Sequence, residues 1–104
     1  MIYLNENEKK HIEKFIMIAD DYKCKEMILK WDDGNKIVAI YKDFIEDEND
    51  YDIENANYEE FWSFVFEFVS KVGNPDIYIT SDNYFLINYH NFPKEILVDG
   101  VKIN

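Results

Sequence analysis

Residues 43 to 60, DFIEDENDYDIENANYEE, hold nine carboxylates and no positive charge, and the lysines nearest this stretch are Lys42 and Lys71. Carboxylates at that density can ligate a cation, work in pairs as general acid and base, or meet a cationic surface, and each use asks for a different arrangement. A twelve-residue calcium loop begun at Glu48 would place Glu48, Asp50, Asp52 and Glu59 at ligand positions one, three, five and twelve. Its sixth position, where the sharp turn requires glycine, is Ile53, and its first is Glu in place of Asp, so no metal site is expected. Acid and base pairs arise by chance in any acidic loop, and no apolar enclosure is evident here that would lift one pKa above its partner's.

Elsewhere the chemistry-bearing residues stand alone. His90, in NYHNFP, has Tyr89 beside it and Asp82 upstream, and a single histidine can act as a general base. No activated nucleophile accompanies it: Ser81 lies in a turn without a glycine elbow, and Cys24, between Lys23 and Lys25, reads as a small edge or buried residue. His11 falls at the boundary of a helical pattern. Gly34, Gly73 and Gly100 are the only glycines, each explained by a turn or an element end, so no phosphate-binding loop or cofactor motif is present. The expectation is a protein that is not an enzyme and needs no cofactor, with a small enzyme using His90 as a minor alternative.

Charge distribution says more. From Asp43 to Ser70 there are ten acids and no base, so all but one unit of the net charge of −11 lies in that segment. Nucleic acid and anionic lipid both require a basic footprint, which argues against either as a direct partner and favours a basic protein. Phe44, Ile45, Tyr51, Ile53 and Tyr58 are interleaved with the acids and cannot all be internal. Aromatic residues anchor interfaces while surrounding charges steer the approach. The expected partner-binding set is Asp43, Glu46, Asp47, Glu48, Asp50, Tyr51, Asp52, Glu54, Tyr58 and Glu59.

These residues must be positioned by flanking elements. Asn5 followed by Glu8 has capping-box spacing, and Ile12, Phe15, Ile16, Ala19 and Tyr22 recur at helical intervals, predicting an amphipathic helix from about residue 6 to 21. Met17 falls on its polar side without an explanation. CKEMILKW and KIVAIYKDFI flank Asp33-Gly34, a hairpin signal, with Met27, Leu29 and Trp31 forming the better-buried face of the first strand and Val38, Ile40 and Tyr41 the apolar mass of the second. In NYEEFWSFVFEFVSKVGNP, Asn57 and Glu60 repeat the capping spacing, and Phe61, Phe64, Val65, Phe68, Val69 and Val72 fill an apolar arc, predicting a second helix that ends at Gly73 and Pro75. Short strands follow at IYIT, YFLINYH and KEILV, with a turn at Asp99-Gly100 before VKIN. The order α-β-β-α-β-β, with or without one more strand, predicts an α+β fold: an antiparallel sheet of four to six strands with two helices on one face.

At 104 residues, 47% apolar and 17% aromatic, residues 1–104 form a single α+β domain with enough apolar mass to fold alone. No run of eighteen apolar residues exists, and MIYLNENEKK turns polar too early for a secretory signal, so a cytoplasmic location is expected. One cysteine cannot make an internal disulfide, in keeping with a reducing compartment. All basic residues are lysine, and Ile, Asn, Lys, Tyr and Phe are abundant, a codon bias pointing to a low-GC bacterium or one of its phages. The short C-terminal edge and Lys102 argue for a monomer or at most a weak dimer.

Size, the missing signal peptide, the charged hairpin KWDDGNKIVAIYKD, the acidic loop and the segment NYEEFWSFVFEFV together resemble the small acidic immunity proteins of bacterial toxin–immunity systems. The resemblance spans most of the chain without a family motif. It implies an inhibitor that neutralises a cognate toxin, a nuclease among the candidates, by covering a basic surface. The alternative is a phage-type nucleic-acid mimic that inhibits a host defence nuclease. Mimicry is disfavoured because the acids are concentrated instead of spread at phosphate spacing.

Overall fold

A computed structural model describes residues 3–104. Helix α1 (Glu6–Ile18) runs on into one 3₁₀ turn, Ala19–Tyr22. Asn5 caps it: its side chain accepts the Glu8 N–H at 2.7 Å, and the Glu8 side chain accepts the Asn5 N–H at 3.2 Å, closing the predicted box. Ile12, Phe15, Ile16 and Ala19 are buried and Met17 is exposed, so the amphipathic reading holds.

Six strands follow: β1 (Glu26–Lys30), β2 (Lys36–Glu48), β3 (Glu60–Val72), β4 (Tyr84–Ile87), β5 (Glu95–Val98) and β6 (Val101–Lys102). They form one antiparallel sheet in the order β4-β3-β2-β1-β5-β6. The fold is α+β, and the turn between β1 and β2 falls at the predicted Asp33-Gly34, where Gly34 has φ +85°. At the other end Asp99 (φ +51°) and Gly100 (φ +80°) make the tight β5–β6 turn.

The predicted second helix is absent: residues 60–72 are strand β3. The segment has two readings. Its apolar residues fit a helical arc, yet Trp62, Phe64, Phe66 and Phe68 also alternate with period two, and its aromatic and β-branched content suits a pleated sheet. Tertiary pairing decides between them, because β3 matches β2 at twelve positions from Lys36↔Val72 to Glu48↔Glu60. Asn57, expected to cap that helix, instead belongs to the β2–β3 connection, where its N–H is bound by the Asn55 side chain at 2.8 Å. The predicted strand at residues 77–80 is also irregular chain, with Ile77 and Ile79 packed against the core.

One face of the sheet is closed by α1. Met27, Leu29, Ile37, Ala39, Tyr41, Phe64, Phe66, Phe85, Ile87 and Ile96 join the helix residues there. Phe15 is the hinge of this packing, with edge contacts to Tyr41 at 5.7 Å and Phe64 at 4.8 Å. Val38 and Ile40 are only half-buried, because alternation puts Ile37, Ala39 and Tyr41 inward. Val38 lies opposite Ile28, which in turn lies opposite Leu97, a row on the uncovered face.

Two irregularities bend the long β2–β3 ladder. An extra residue, Val69, enters on β3 and another, Lys42, on β2. The second has a direct consequence for the acids. It shifts the alternation so that Phe44 comes opposite Phe64, Glu46 opposite Trp62 and Glu48 opposite Glu60.

Candidate functional site: an acidic hairpin end

The outer half of β2, the connection 49–59 and the first residues of β3 form one carboxylate-rich hairpin end. Its connection is folded by asparagines. Asn49 accepts the Glu59 N–H at 3.2 Å through its side chain and donates to the Asn57 carbonyl at 2.8 Å, while the Tyr58 N–H reaches the Asn55 carbonyl at 3.0 Å. These bonds hold a loop whose like charges would otherwise drive it open.

The expected site residues separate into three groups. Asp43 is tied into the fold: it accepts its neighbour Phe44's N–H at 2.8 Å and pairs with Lys23 at 3.2 Å, and those two contacts hold its carboxyl below the usual range. Glu59 is likewise engaged. It receives the Tyr89 hydroxyl on one oxygen and faces His90 Nε2 at 2.9 Å on the other, tying the hairpin to the segment after β4. Burial, then the bond to Glu59, raises the Tyr89 hydroxyl well above the ordinary tyrosine value.

Glu46, Asp47 and Glu48 form the second group. Asp47 accepts the Ser63 hydroxyl at 2.9 Å and the Glu48 N–H at 2.8 Å, which fixes it against β3. Glu48 accepts the Tyr58 hydroxyl at 2.5 Å, and that bond pushes the phenol up to about 12. Asp50, Tyr51, Asp52 and Glu54 make the third group, exposed at the tip together with Ile53. Among the described residues, Glu46, Asp47, Glu48, Asp50, Asp52, Glu54 and Glu60 have no cationic group within ion-pair distance.

The hairpin base contains a feature absent from the expected set. Glu46, Asp47 and Glu60 line a cleft of about 290 Å³ whose remaining walls include Tyr3, Phe61 and Trp62. Glu8 also borders it, but its two oxygens are already committed to the Asn5 and Trp62 N–H groups. Trp62 is held by its indole N–H to the Tyr3 carbonyl at 2.9 Å and by edge packing on Phe44 at 5.4 Å. Reading residues 57–72 as a helix assigned Glu60 to a cap; the period-two alternation of Trp62, Phe64 and Phe66 was the signal that could have found the cleft.

Carboxylates beside an aromatic wall suit an ammonium or guanidinium group. Among the described residues no three or more His, Cys, Asp or Glu side chains converge as ligands for a metal ion. His90 packs edge-on to Phe61 and beside Tyr89, and its ring contacts Glu59; Cys24 is exposed at φ +65° at the start of the sheet. That environment makes His90 a fastener for the hairpin base. No family model, curated protein or solved structure matches the chain.

Proposed function

We propose that this chain is an acidic protein-binding inhibitor, an immunity protein that neutralises a cognate bacterial toxin by covering a basic surface. The observation that carries the reading is the hairpin end itself: seven carboxylates without an ion-pair partner among the described residues, one cross-strand pair of like charges at Glu48 and Glu60, and exposed Tyr51 and Ile53 among them. Like charges directly opposite on neighbouring strands destabilise a sheet, so the free protein holds a repulsion that a basic partner would relieve. The exposed Tyr51 and Ile53 would supply the apolar anchors, and the cleft beside Trp62 would take a lysine or arginine side chain of the partner.

A nuclease fits as the target because its substrate cleft must be basic, and a cytoplasmic location fits an inhibitor that protects its own cell. Nucleic-acid mimicry is the weaker reading, since Lys23 and Lys42 pair with Asp43 and Glu67 toward the base of the segment and leave the excess at one end. The test is affinity capture from source cells with the wild-type chain and with a tip variant carrying Glu46→Gln, Asp50→Asn, Asp52→Asn and Glu54→Gln. A basic protein retained by the first, lost from the second and inhibited in its own activity by the first supports the proposal. Equal retention by both contradicts it.

A further inference from the structure

A groove away from the acidic hairpin end is not acidic. It has a volume of about 660 Å³ and shares no lining residue with the cleft beside Trp62. Helix α1 contributes Lys9, Lys10 and Lys14 to it, the residue before β5 contributes Lys94, and β6 contributes Lys102. These five lysines are scattered over more than ninety residues of sequence. Only the fold assembles them.

Most lysines of the chain lack an ion-pair partner among the described residues, so what marks these five is their convergence on one groove. The chain has twice as many acids as bases, so ion-pair partners are plentiful. Even so, among the described residues Lys10, Lys14 and Lys102 have no carboxylate within ion-pair distance, and Lys9 reaches Glu6 only at 4.0 Å. Lys94 is neutralised by Asp32 at 2.9 Å, and Glu13 is the other acidic side chain in the groove, so lysine side chains outnumber acidic side chains by five to two. The remaining lining includes two aromatic rings that are held in place. Trp31 is held by its indole N–H on the Asn91 carbonyl at 2.9 Å, and Phe92 packs edge-on to Phe15 at 5.9 Å.

We infer that this groove is a binding site for a small phosphate-bearing aromatic ligand of the nucleotide class, with the phosphates between Lys10, Lys14 and Lys102 and the ring against Trp31. Lysines serve phosphate as strongly hydrated point charges and need no glycine-rich loop to do so. A fixed aromatic face supplies stacking without further loss of side-chain freedom. Ligand size follows from the surroundings. Charges are screened over about 8 Å at physiological ionic strength, so a compact ligand feels the groove, whereas a polymer leaving it would meet the field of a chain at −11. That separates a nucleotide from single-stranded RNA.

The test is calorimetric titration with ADP in magnesium-free, low-salt buffer, against wild type and a Lys10→Gln/Lys14→Gln variant. Both positions are exposed on α1, and thermal melting will show that the variant remains folded. The site predicts measurable ADP binding that the variant weakens about tenfold, weaker binding of tripolyphosphate, none of adenosine, and quenching of Trp31 fluorescence in a Trp62→Phe background. Absence of ADP binding at millimolar concentration overturns the inference, as does binding indifferent to the lysine replacements. Equal affinity for tripolyphosphate removes the aromatic half of the site, and tighter binding of a short single-stranded RNA replaces the nucleotide with a polymer.

Discussion

The Glu8 carboxylate bridges two elements: one oxygen accepts the Asn5 N–H at the start of α1, and the other accepts the Trp62 N–H of β3 at 2.6 Å. Glu8 is only 1% exposed, so both bonds form out of water. A single side chain therefore caps the helix and seats its end where β4 no longer covers β3. The same bond fixes the backbone beside the acidic cleft.

Replacing Glu8 with Ala should cost about 2–4 kcal/mol, because it removes a cap and leaves a sheltered N–H without an acceptor. Glu8→Gln keeps an acceptor and should cost less. Urea denaturation measures both. A loss for Glu8→Ala no larger than that of an exposed substitution such as Glu6→Ala would show that the bridge does not matter to stability.

Tyr41 makes the opposite prediction. Its ring is fully buried against Phe15, Phe64 and Phe66, but its hydroxyl is buried without a hydrogen-bond partner among the described residues. Tyr41→Phe removes an unsatisfied polar atom and keeps the packing, so it should be neutral or stabilising by about 1 kcal/mol. A clear destabilisation in the same denaturation experiment would mean that the hydroxyl has a partner in solution.

The Glu48–Tyr58 bond can be read by titration. Tyr58 is pushed up to about 12 by its bond to Glu48, from an ordinary value near 10. A phenol whose pKa is raised by folding adds stability below its unfolded value and loses that contribution as pH climbs through the folded one, here between about 10 and 12. Glu48→Gln should therefore return one tyrosine of the eight toward ordinary titration, visible as a difference in tyrosinate absorbance. Superimposable titrations of wild type and variant would remove the bond.

How far the sequence disclosed this arrangement depends on which force decided each element. Local chemistry decided α1 and the β1–β2 hairpin: the Asn5–Glu8 box and the Asp33-Gly34 turn need no distant partner to form, and both were legible. Residues 60–72 were not, because FWSFVFEFV satisfies helical and strand periodicity together and only pairing with β2, across the connection 49–59, selects the strand. The charged segment was legible as composition, but its division was not. Nothing local announces that Asp43 will find Lys23 or that Glu59 will find His90, and the extra residue at Lys42, which sets Glu48 opposite Glu60, leaves no mark in the hydrophobic pattern. The lysine groove lay further from view, since Lys9, Lys10 and Lys14 of α1 meet Lys94 and Lys102 only in the fold.

Repulsion at the hairpin end is testable without any partner. Glu60→Gln removes one member of the Glu48↔Glu60 pair, and it should raise the thermal midpoint by a few degrees at low salt and by less at high salt, where screening already relieves the wild type. A midpoint lowered by the replacement would show the pair to be stabilised by contacts other than charge.

The central claim is that the uncompensated carboxylates of the hairpin end steer a basic protein. Its most direct measurement is the association rate constant of the captured partner as a function of ionic strength, for wild type and for the Glu46→Gln/Asp50→Asn/Asp52→Asn/Glu54→Gln variant. Electrostatic steering predicts a wild-type rate that falls about tenfold or more from low to high salt and a variant that starts slower and changes little. Equal rates for the two proteins, with the same salt dependence, would contradict it.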